Sequence, residues 1–114
     1  EESNKTEVID WVRSTASDAQ IMASVCTGAF ILAEAGLLDA HNVTTHWQDI
    51  EDLQTQYPML NVLSNVRWVD QGKIVTSAGI SAGIDMCLHL VARLHSLDLA
   101  EKTARQMEYD WKKQ

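Results

Sequence analysis

Apolar and polar positions along the chain change their spacing several times, and each change predicts a new element. Val8, Trp11 and Val12 recur at helical spacing and predict a first helix. The continuous apolar run over residues 21–25 predicts a buried strand. Small and apolar residues over 27–35 predict a helix directly after that strand. The first third of the chain therefore follows a helix–strand–helix order.

The rest of the chain continues this alternation of helices and strands. The predicted elements are, in order, a short β-branched strand over 43–45, a helix with Ile50, Leu53 and Tyr57 on one face, a hairpin of strands over 67–69 and 73–77, a helix over 84–94, and a last helix that begins at Asp98 with Glu101 at the capping-box position. Strands interleaved with helices indicate an α/β fold.

Length, composition, net charge and cysteine count limit the classes of protein to which the chain can belong. The 114 residues are enough for one domain or part of one, and a hydrophobic fraction of 46% is typical of a globular core. The net charge of −7 argues against a nucleic-acid-binding surface, and no apolar stretch reaches the roughly 18 residues of a membrane span. Two cysteines, Cys26 and Cys87, are too few for a disulfide framework and favour a reducing, cytoplasmic location.

Cys26 stands where the predicted strand over 21–25 meets the predicted helix over 27–35. A nucleophile at such a tight strand-to-helix turn, called a nucleophile elbow, is lifted out of the sheet and exposed. The amides and the dipole at the start of the helix would stabilise its thiolate. The alternative is a buried structural cysteine, which is common. The pattern therefore makes Cys26 a candidate nucleophile.

The predicted sheet lacks strands before Cys26. An open parallel sheet with an elbow in its middle needs several strands, and a single short helix precedes residue 21. A doubly wound domain would cover that sheet edge with upstream strand–helix units. We therefore expect the chain to be a fragment, or to be completed by a second polypeptide that supplies the missing half.

Four segments together resemble one protein family. They are residues 24–30 (SVCTGAF), 33–39 (AEAGLLD), 44–47 (TTHW) and 76–85 (TSAGISAGID). In this order they are similar to the ThiJ/PfpI superfamily, and the similarity covers nearly all of residues 8–110. The branches it resembles most are isonitrile hydratases and the amidotransferase-like domains of AraC-type regulators. The resemblance implies a flavodoxin-like, doubly wound α/β sheet in a homodimer, with residues 1–114 as the C-terminal portion of a single domain that lacks its N-terminal strands.

The resemblance also implies roles for individual residues. Cys26 matches the nucleophile. Thr27 matches the residue whose amide would donate to an oxyanion and whose hydroxyl lines the pocket in the hydratases, whereas protease-like branches usually carry histidine there. Gly28 and His46 match pocket positions, although His46 also fits a structural histidine bonded to backbone at a strand end. The family's acidic partner of the thiol belongs to the missing half, and neither a cofactor nor a metal is implied.

The remaining polar candidates are weaker. Cys87 and His89 are two residues apart on a predicted helix, so their side chains point in different directions and no metal site is expected there. Asp85, near the start of the same helix, could hold a turn amide as an early helix residue or reach the site, and the helix-end role is favoured. Glu34 comes eight residues after Cys26, over two helical turns away, and is not expected to contact the thiol.

Two function classes follow from the resemblance. The first is a cysteine-dependent hydratase or hydrolase of a small molecule, similar to isonitrile hydratase. The second is a ligand-sensing domain of an AraC-type transcriptional regulator. Thr27 in place of histidine makes a protease or amidase the weaker option, and the tail over 104–110 resembles the hydratase branch, which therefore stands first. In both classes we expect a small-molecule partner, no membrane, and no nucleic-acid contact from this segment.

Overall fold

A computed structural model gives the fold of the chain, in which residues 2–113 are described, with side chains from residue 6 onward. Helices and strands alternate along it, as the sequence predicts. A short 3-10 helix, Trp47–Asp49, leads into the third α-helix. The α-helices are α1 (Glu2–Asp18), α2 (Gly28–Glu34), α3 (Ile50–Gln56), α4 (Ile80–Leu94) and α5 (Leu97–Gln106), and the strands are β1 (Met22–Ser24), β2 (Asn42–Val43), β3 (Asn61–Val62), β4 (Trp68–Asp70) and β5 (Ile74–Ser77).

Strand β5 is the centre of the main sheet. It pairs in parallel with β1, where Met22 lies opposite Ile74, and antiparallel with β4. β4 and β5 form the predicted hairpin, whose turn is closed by a 2.8 Å hydrogen bond from the Gln71 amide to the Ile74 carbonyl. The turn needs a left-handed backbone at one position, and Gly72 supplies it with a φ of +91°.

Strands β2 and β3 form a second, two-stranded parallel sheet in the described part of the chain. The predicted strand over 43–45 is only partly right, because β2 ends at Val43 and the chain then contacts the main sheet. At this point the Thr44 amide donates to Thr76 Oγ1 in β5 at 2.9 Å. The sequence pattern does not predict β3, because a two-residue strand is too short to show a period.

Helices cover both faces of the main sheet. On one face, Ile74 of β5 packs in a core cluster with residues of α1, α2 and α3, including Leu32 and Leu53. On the other face, α4 lies against β4 and β5, and a Cβ atom placed at Gly83 would lie 3.6 Å from Ser77 Oγ. Since side chains alternate across a strand, β5 is buried on both faces. This arrangement confirms the α/β fold class.

Strand β1 has one free edge within the described residues. It pairs with β5 alone, and Ala23 and Val25 are exposed along it. Val25 also lines an apolar groove of about 430 Å³ with residues of α4 and α5, including Ile84, Val91 and Met107. An unpaired strand beside an apolar groove is the kind of surface that further strands of a doubly wound sheet cover.

Helix α4 begins four residues before the predicted start at residue 84. Gly79 caps it with an extended backbone (φ −73°, ψ −173°), and residues 80–83, which the sequence pattern leaves outside the helix, form its first turn. Within residues 2–113, no helix, α4 included, has both the length and the apolar content that crossing a membrane requires.

Helix α5 is capped by a residue that the sequence pattern did not select. The Ser96 hydroxyl accepts the Leu99 N–H at 3.0 Å, which is a typical N-cap hydrogen bond. The predicted capping box of Asp98 and Glu101 is therefore wrong, because the N-cap of α5 lies two residues before Asp98. Serine and aspartate are both good N-caps, and the packing of α5 against α4 decides between them.

Asp70, at the end of β4, joins the hairpin to α4. Its carboxylate bonds to His89 Nε2 at 2.8 Å and to Arg93 Nη1 at 3.0 Å, and it accepts the Gly72 amide at 2.8 Å. The His89 ring stacks on Trp68, with 4.0 Å between the ring centroids. Burial alone would raise the pKa of Asp70, but these three hydrogen bonds outweigh burial, and the pKa lies below its usual value.

Replacing Asp70 by asparagine should lower the free energy of unfolding at about pH 6 and have a smaller effect at about pH 3. A carboxylate with a lowered folded-state pKa stabilises the fold above its unfolded pKa of about 3.9, and this stabilisation is lost as the pH falls through the folded-state pKa. Urea unfolding at both pH values measures the effect. Asp98→Asn is the matched control, because Asp98 is 76% exposed and its pair with Lys102 stabilises little. An equal loss at both pH values would contradict the prediction.

Residues 1–114 produced alone should self-associate. The free edge of β1 and the apolar groove beside it offer hydrogen-bonding and apolar surface to a second molecule. Size-exclusion chromatography with light scattering gives the mass of the species in solution. Ala23→Lys, which places a charge on the free strand, should reduce the association. A monomer with a single two-state melting transition would show that the edge needs no cover.

Candidate active site

Cys26 lies between the end of β1 and the start of α2, with a φ of +58°. This left-handed backbone is uncommon for a residue with a side chain and costs about 1–3 kcal/mol, so it persists only where the surroundings enforce it. The Cys26 amide donates to the Ala78 carbonyl at 2.8 Å. The Gly28 amide closes the turn on the Val25 carbonyl at 3.0 Å. The predicted strand–turn–helix elbow at Cys26 is confirmed.

A glycine allows α4 to pack tightly against the elbow. A Cβ atom at Gly83 would lie 2.8 Å from Val25 Cγ1, closer than real side chains approach, so this contact requires glycine or a displaced valine. At Gly28, a Cβ atom would lie 3.5 Å from Ser24 Cβ, an ordinary contact distance. Gly83 therefore sets how closely α4 approaches the elbow, whereas Gly28 contributes the backbone of the turn.

The loop after β2 contacts the elbow directly. Thr45 is fully buried and donates its hydroxyl to the Cys26 carbonyl at 2.5 Å. Since Ala78 follows β5 and binds the Cys26 amide, the carboxyl ends of β1, β2 and β5 meet at Cys26. In open α/β sheets, ligands bind outside the carboxyl ends of the strands. The topology therefore places Cys26 where a ligand is expected.

Thr27 supplies two hydrogen-bond donors next to Cys26. It is the N-cap of α2 but has a helical backbone (φ −80°, ψ 0°), and its side chain makes no capping hydrogen bond. The residue is exposed, and its amide has no acceptor among residues 2–113. Both the hydroxyl and the amide are thus available to a group that approaches the cysteine.

His46 is half-buried in the loop that holds the elbow. Its Nδ1 accepts the Gln48 amide at 3.1 Å, while the nearest Asp49 oxygen lies 3.9 Å away, too far for a hydrogen bond. When Nδ1 accepts, the proton of the neutral ring is on Nε2, which can donate but not accept. The ring stacks on Trp47, with centroids 5.8 Å apart, and its Cδ2 faces Gly79. In the neutral ring, His46 Nε2 is therefore a hydrogen-bond donor.

A cavity of about 280 Å³ adjoins the elbow. Thr45 and Ala78, which hold the backbone of the elbow, form part of its wall. Ser64 and Asn65 supply polar groups to the lining. The volume lies close to the lower end of ligand pockets, roughly 300–1,000 Å³, and fits a small molecule. The full lining is Thr44, Thr45, Trp47, Ile50, Ser64, Asn65, Val66 and Ala78.

The described residues do not form a complete catalytic set. None of their carboxylates hydrogen-bonds the Cys26 thiol, and no group of three metal-ligating side chains occurs among them. The Ser24 hydroxyl, two residues before the cysteine, is buried without a partner in this part of the chain. An unsatisfied buried hydroxyl costs about 1–3 kcal/mol. This position would therefore accept a polar group from outside the described residues.

The contacts of two buried residues, Thr45 and Asp85, were not predicted by the sequence pattern. Thr45 lies within the 44–47 segment that carries the family resemblance, which is a usable signal. Asp85 is fully buried in α4 and bonds Arg67 Nε at 2.7 Å, so its expected role as a simple helix-end residue is wrong. These partners are 18 positions apart, and no local pattern indicates such a pair.

Glu34 does not contact Cys26, in agreement with its position two helical turns away. It accepts a hydrogen bond from the Tyr57 hydroxyl at 2.6 Å and thereby ties α2 to the end of α3. Burial, together with this hydrogen bond to a carboxylate, raises the pKa of Tyr57 to about 12. The pair is a structural link between two helices.

Cys87 and His89 point to different sides of α4, as predicted. Cys87 is exposed and lines the apolar groove, whereas His89 bonds the Asp70 carboxylate. The same groove includes Val25, the residue before Cys26, so the second thiol lies on the elbow side of α4. It has no hydrogen-bonding partner within the described chain that would activate it.

Comparison with known proteins identifies the family to which the chain belongs. The model of the DJ-1/PfpI family matches residues 1–93. An isonitrile hydratase from Pseudomonas putida is 39% identical over 103 residues, which covers 90% of this chain and 44% of that protein. The HTH-type transcriptional regulator CdhR from Pseudomonas aeruginosa is 37% identical over 99 residues, which covers 87% of this chain and 29% of that protein.

A solved structure shows the same fold. The crystal structure of a THiJ/PfpI family protein from Pseudomonas syringae matches with a TM-score of 0.81 and 32% identity, over 91% of this chain and 42% of that chain. The chain thus spans less than half the length of these relatives. The similar proteins include an enzyme and a transcriptional regulator, so similarity alone gives no single function.

A limiting amount of iodoacetamide at neutral pH should modify Cys26 before Cys87, although Cys87 is the more exposed thiol. The elbow places Cys26 beside the free hydrogen-bond donors of Thr27, which can stabilise charge that develops on the sulfur as it attacks, whereas Cys87 lies within α4 and lines an apolar groove. Mass spectrometry of peptides after partial alkylation gives the ratio. Cys26→Ser and Cys87→Ser confirm the assignment of the label. Equal labelling would argue against an activated Cys26.

Proposed function

Because the chain belongs to the DJ-1/PfpI family, we propose that residues 1–114 are the C-terminal portion of a single domain that hydrates or hydrolyses a small molecule through Cys26. The observation that carries the proposal is a partly exposed thiol on a left-handed elbow, next to the unpaired hydroxyl and amide of Thr27. The 39% identity to an isonitrile hydratase supports isonitrile hydration as the model reaction.

In this reaction an isonitrile, R–N≡C, and water give the formamide R–NH–CHO. The thiolate of Cys26 adds to the terminal carbon while an acid protonates that carbon, which forms a thioimidate, R–N=CH–S, on the enzyme. Water then adds to the same carbon, the carbon–sulfur bond breaks, and the nitrogen takes a proton. The formamide leaves and the thiol is restored. The net change is the addition of one water, so no oxidant or reductant is consumed.

The neighbours of Cys26 have distinct roles in this proposal. Thr27 donates from its hydroxyl and amide to the substrate nitrogen or to the oxygen of the added water, where negative charge develops. His46 donates from Nε2 in the loop that holds the elbow, because its Nδ1 is occupied by the Gln48 amide. Gly28 forms the turn that keeps the first residues of α2 close to the substrate. The adjacent cavity of about 280 Å³ receives the substituent R.

The rest of the domain supplies the proposed acid and the other strands. Three features support this division: the thiol has no carboxylate partner among the described residues, the Ser24 hydroxyl is unsatisfied there, and β1 has a free edge beside an apolar groove. The chain spans 44% of the length of the hydratase, which leaves room for such a half. We further propose that the completed domain forms a homodimer.

A ligand-sensing domain of an AraC-type regulator is the second candidate. The 37% identity to the transcriptional regulator CdhR favours it, since that match covers 87% of this chain. In this function the cavity and the elbow would bind a metabolite without turnover, and DNA contact would come from another domain. The net charge of −7 agrees with a segment that does not itself contact DNA.

In the intact protein, Cys26→Ser should lower the rate of formamide production from a simple alkyl isonitrile by at least about 10³-fold, because a hydroxyl is not an adequate substitute for the thiolate nucleophile. Formamide is followed by NMR. Far-UV circular dichroism and thermal melting should be unchanged, since the substitution hardly changes the volume. Cys87→Ser is the matched control and should retain full activity.

Two results would overturn the enzyme proposal. One is a Cys26→Ser variant that retains the wild-type rate. The other is an intact wild-type protein that turns over neither isonitriles nor amides but binds a metabolite and DNA. This second result would establish the sensor function, with the elbow serving as part of a binding pocket.

A further inference from the structure

The buried carboxylate of Asp85 and the partly exposed guanidinium of Arg67 form an ion pair, and we propose that this pair positions Cys26 for reaction. The proposal rests on the proposed function, because it concerns the same nucleophile. Neither side chain hydrogen-bonds Cys26. Both are therefore positioning residues that act through the backbone.

Both oxygens of the Asp85 carboxylate accept hydrogen bonds from neighbouring residues. Oδ2 accepts Arg67 Nε at 2.7 Å and also accepts Arg67 Nη2, so that one oxygen binds both arms of the guanidinium. Oδ1 accepts the Lys112 amide at 2.8 Å, and the Asp85 carbonyl accepts Trp111 Nε1 at 3.2 Å. The side chain is 0% exposed. Asp85 thus joins α4, the segment before β4, and the C-terminal tail.

A short chain of backbone hydrogen bonds connects this pair to the elbow. The Arg67 carbonyl accepts the Ala78 amide at 2.9 Å, and the Ala78 carbonyl accepts the Cys26 amide at 2.8 Å. Any shift of the Arg67 backbone therefore displaces Ala78, whose carbonyl holds Cys26. Hydrogen bonds in such a series also polarise one another.

The elbow is sensitive to a small displacement for two reasons. Cys26 has a φ of +58°, so it relaxes to an ordinary backbone conformation once its anchors weaken. In addition, the Thr45 hydroxyl holds the Cys26 carbonyl on the opposite side at 2.5 Å, and this bond requires a fixed position of the peptide. Displacement by about 1 Å of a reacting group can cost about 10²-fold in rate.

Charge explains why the partner of Arg67 must be a carboxylate. The hydrogen bond to Asp85 raises the pKa of the Arg67 guanidinium, a group that carries its charge in proteins in any case. The Arg67 side chain is 38% exposed. Without the negative charge of Asp85, the guanidinium would turn outward to water, and the backbone of Arg67 would lose its anchor.

The C-terminal tail closes over the pair. Trp111 and Lys112 bind Asp85, and the Tyr109 hydroxyl donates to the Ser81 carbonyl in the first turn of α4 at 2.7 Å. These contacts keep water away from the Asp85 side chain. The tail therefore contributes indirectly to the position of the elbow.

The test is the second-order rate at which iodoacetamide alkylates Cys26 in the intact protein with the Cys87→Ser substitution. Asp85→Asn should slow this alkylation by about tenfold or more, because the substitution keeps the shape but removes the charge that holds Arg67. Thermal melting of each variant gives its stability. A variant that alkylates at the wild-type rate would overturn the proposal.

Asp70→Asn is the matched control. Asp70 also binds an arginine of the protein, Arg93, and also joins the hairpin to α4, but it stands at the turn end of the hairpin, and its side-chain partners do not hydrogen-bond Ala78 or Cys26. It should lower stability without slowing alkylation. If Asp70→Asn slows the alkylation of Cys26 as much as Asp85→Asn does, the slower rate reflects a general loss of stability, and the positioning role is wrong.

Substitutions of Arg67 provide a second test of the proposal if the Asp85→Asn variant does not fold. Arg67→Met should slow alkylation of Cys26 about as much as loss of Asp85 does, and Arg67→Lys should recover part of the rate because it keeps the charge. A wild-type rate in Arg67→Met would overturn the proposal. Failure of the proposed function can be distinguished from failure of this proposal. If the wild-type protein has no hydratase activity, the alkylation rates of the variants can still be compared.

Discussion

The hydrogen bond from the Cys26 amide to the Ala78 carbonyl is the constraint on which the candidate site depends. It joins the end of β1 to the end of β5 and holds Cys26 in a left-handed conformation that its side chain disfavours. Thr45 holds the carbonyl of the same residue from the end of β2. The segments that follow β5 and β2 thus fix both peptide groups of Cys26, and the residue remains partly exposed.

Helix α4 organises this arrangement by contacting the hairpin at two places. At its start, Asp85 binds Arg67 close to the elbow, and further along, His89 and Arg93 bind Asp70 near the hairpin turn. Each contact combines a carboxylate with an arginine, and the carboxylates are 0% and 19% exposed. Such partly or fully buried pairs depend strongly on geometry, since removal of one partner leaves a poorly solvated charge. They therefore fix the angle between α4 and the sheet.

The proteins similar to this chain include an enzyme and a transcriptional regulator, so the fold does not by itself determine the function. In this chain, the free donors of Thr27 favour stabilisation of a negative charge next to Cys26. Among residues 2–113, no carboxylate hydrogen-bonds the Cys26 thiol. Under the proposed function, this segment supplies the nucleophile and the rest of the domain supplies the acid.

The sequence by itself determined the element order, the hairpin and the elbow, because each has a local cause: the apolar run before Cys26, the turn at Gly72, and the small residues after the cysteine. It also determined the family, through four short segments. Only the tertiary structure decided the start of α4, the cap of α5, the β2–β3 pair and the burial of Asp85. These features depend on partners that lie far apart in the chain, such as Arg67 for Asp85, and hydrophobic periodicity contains no information about such partners.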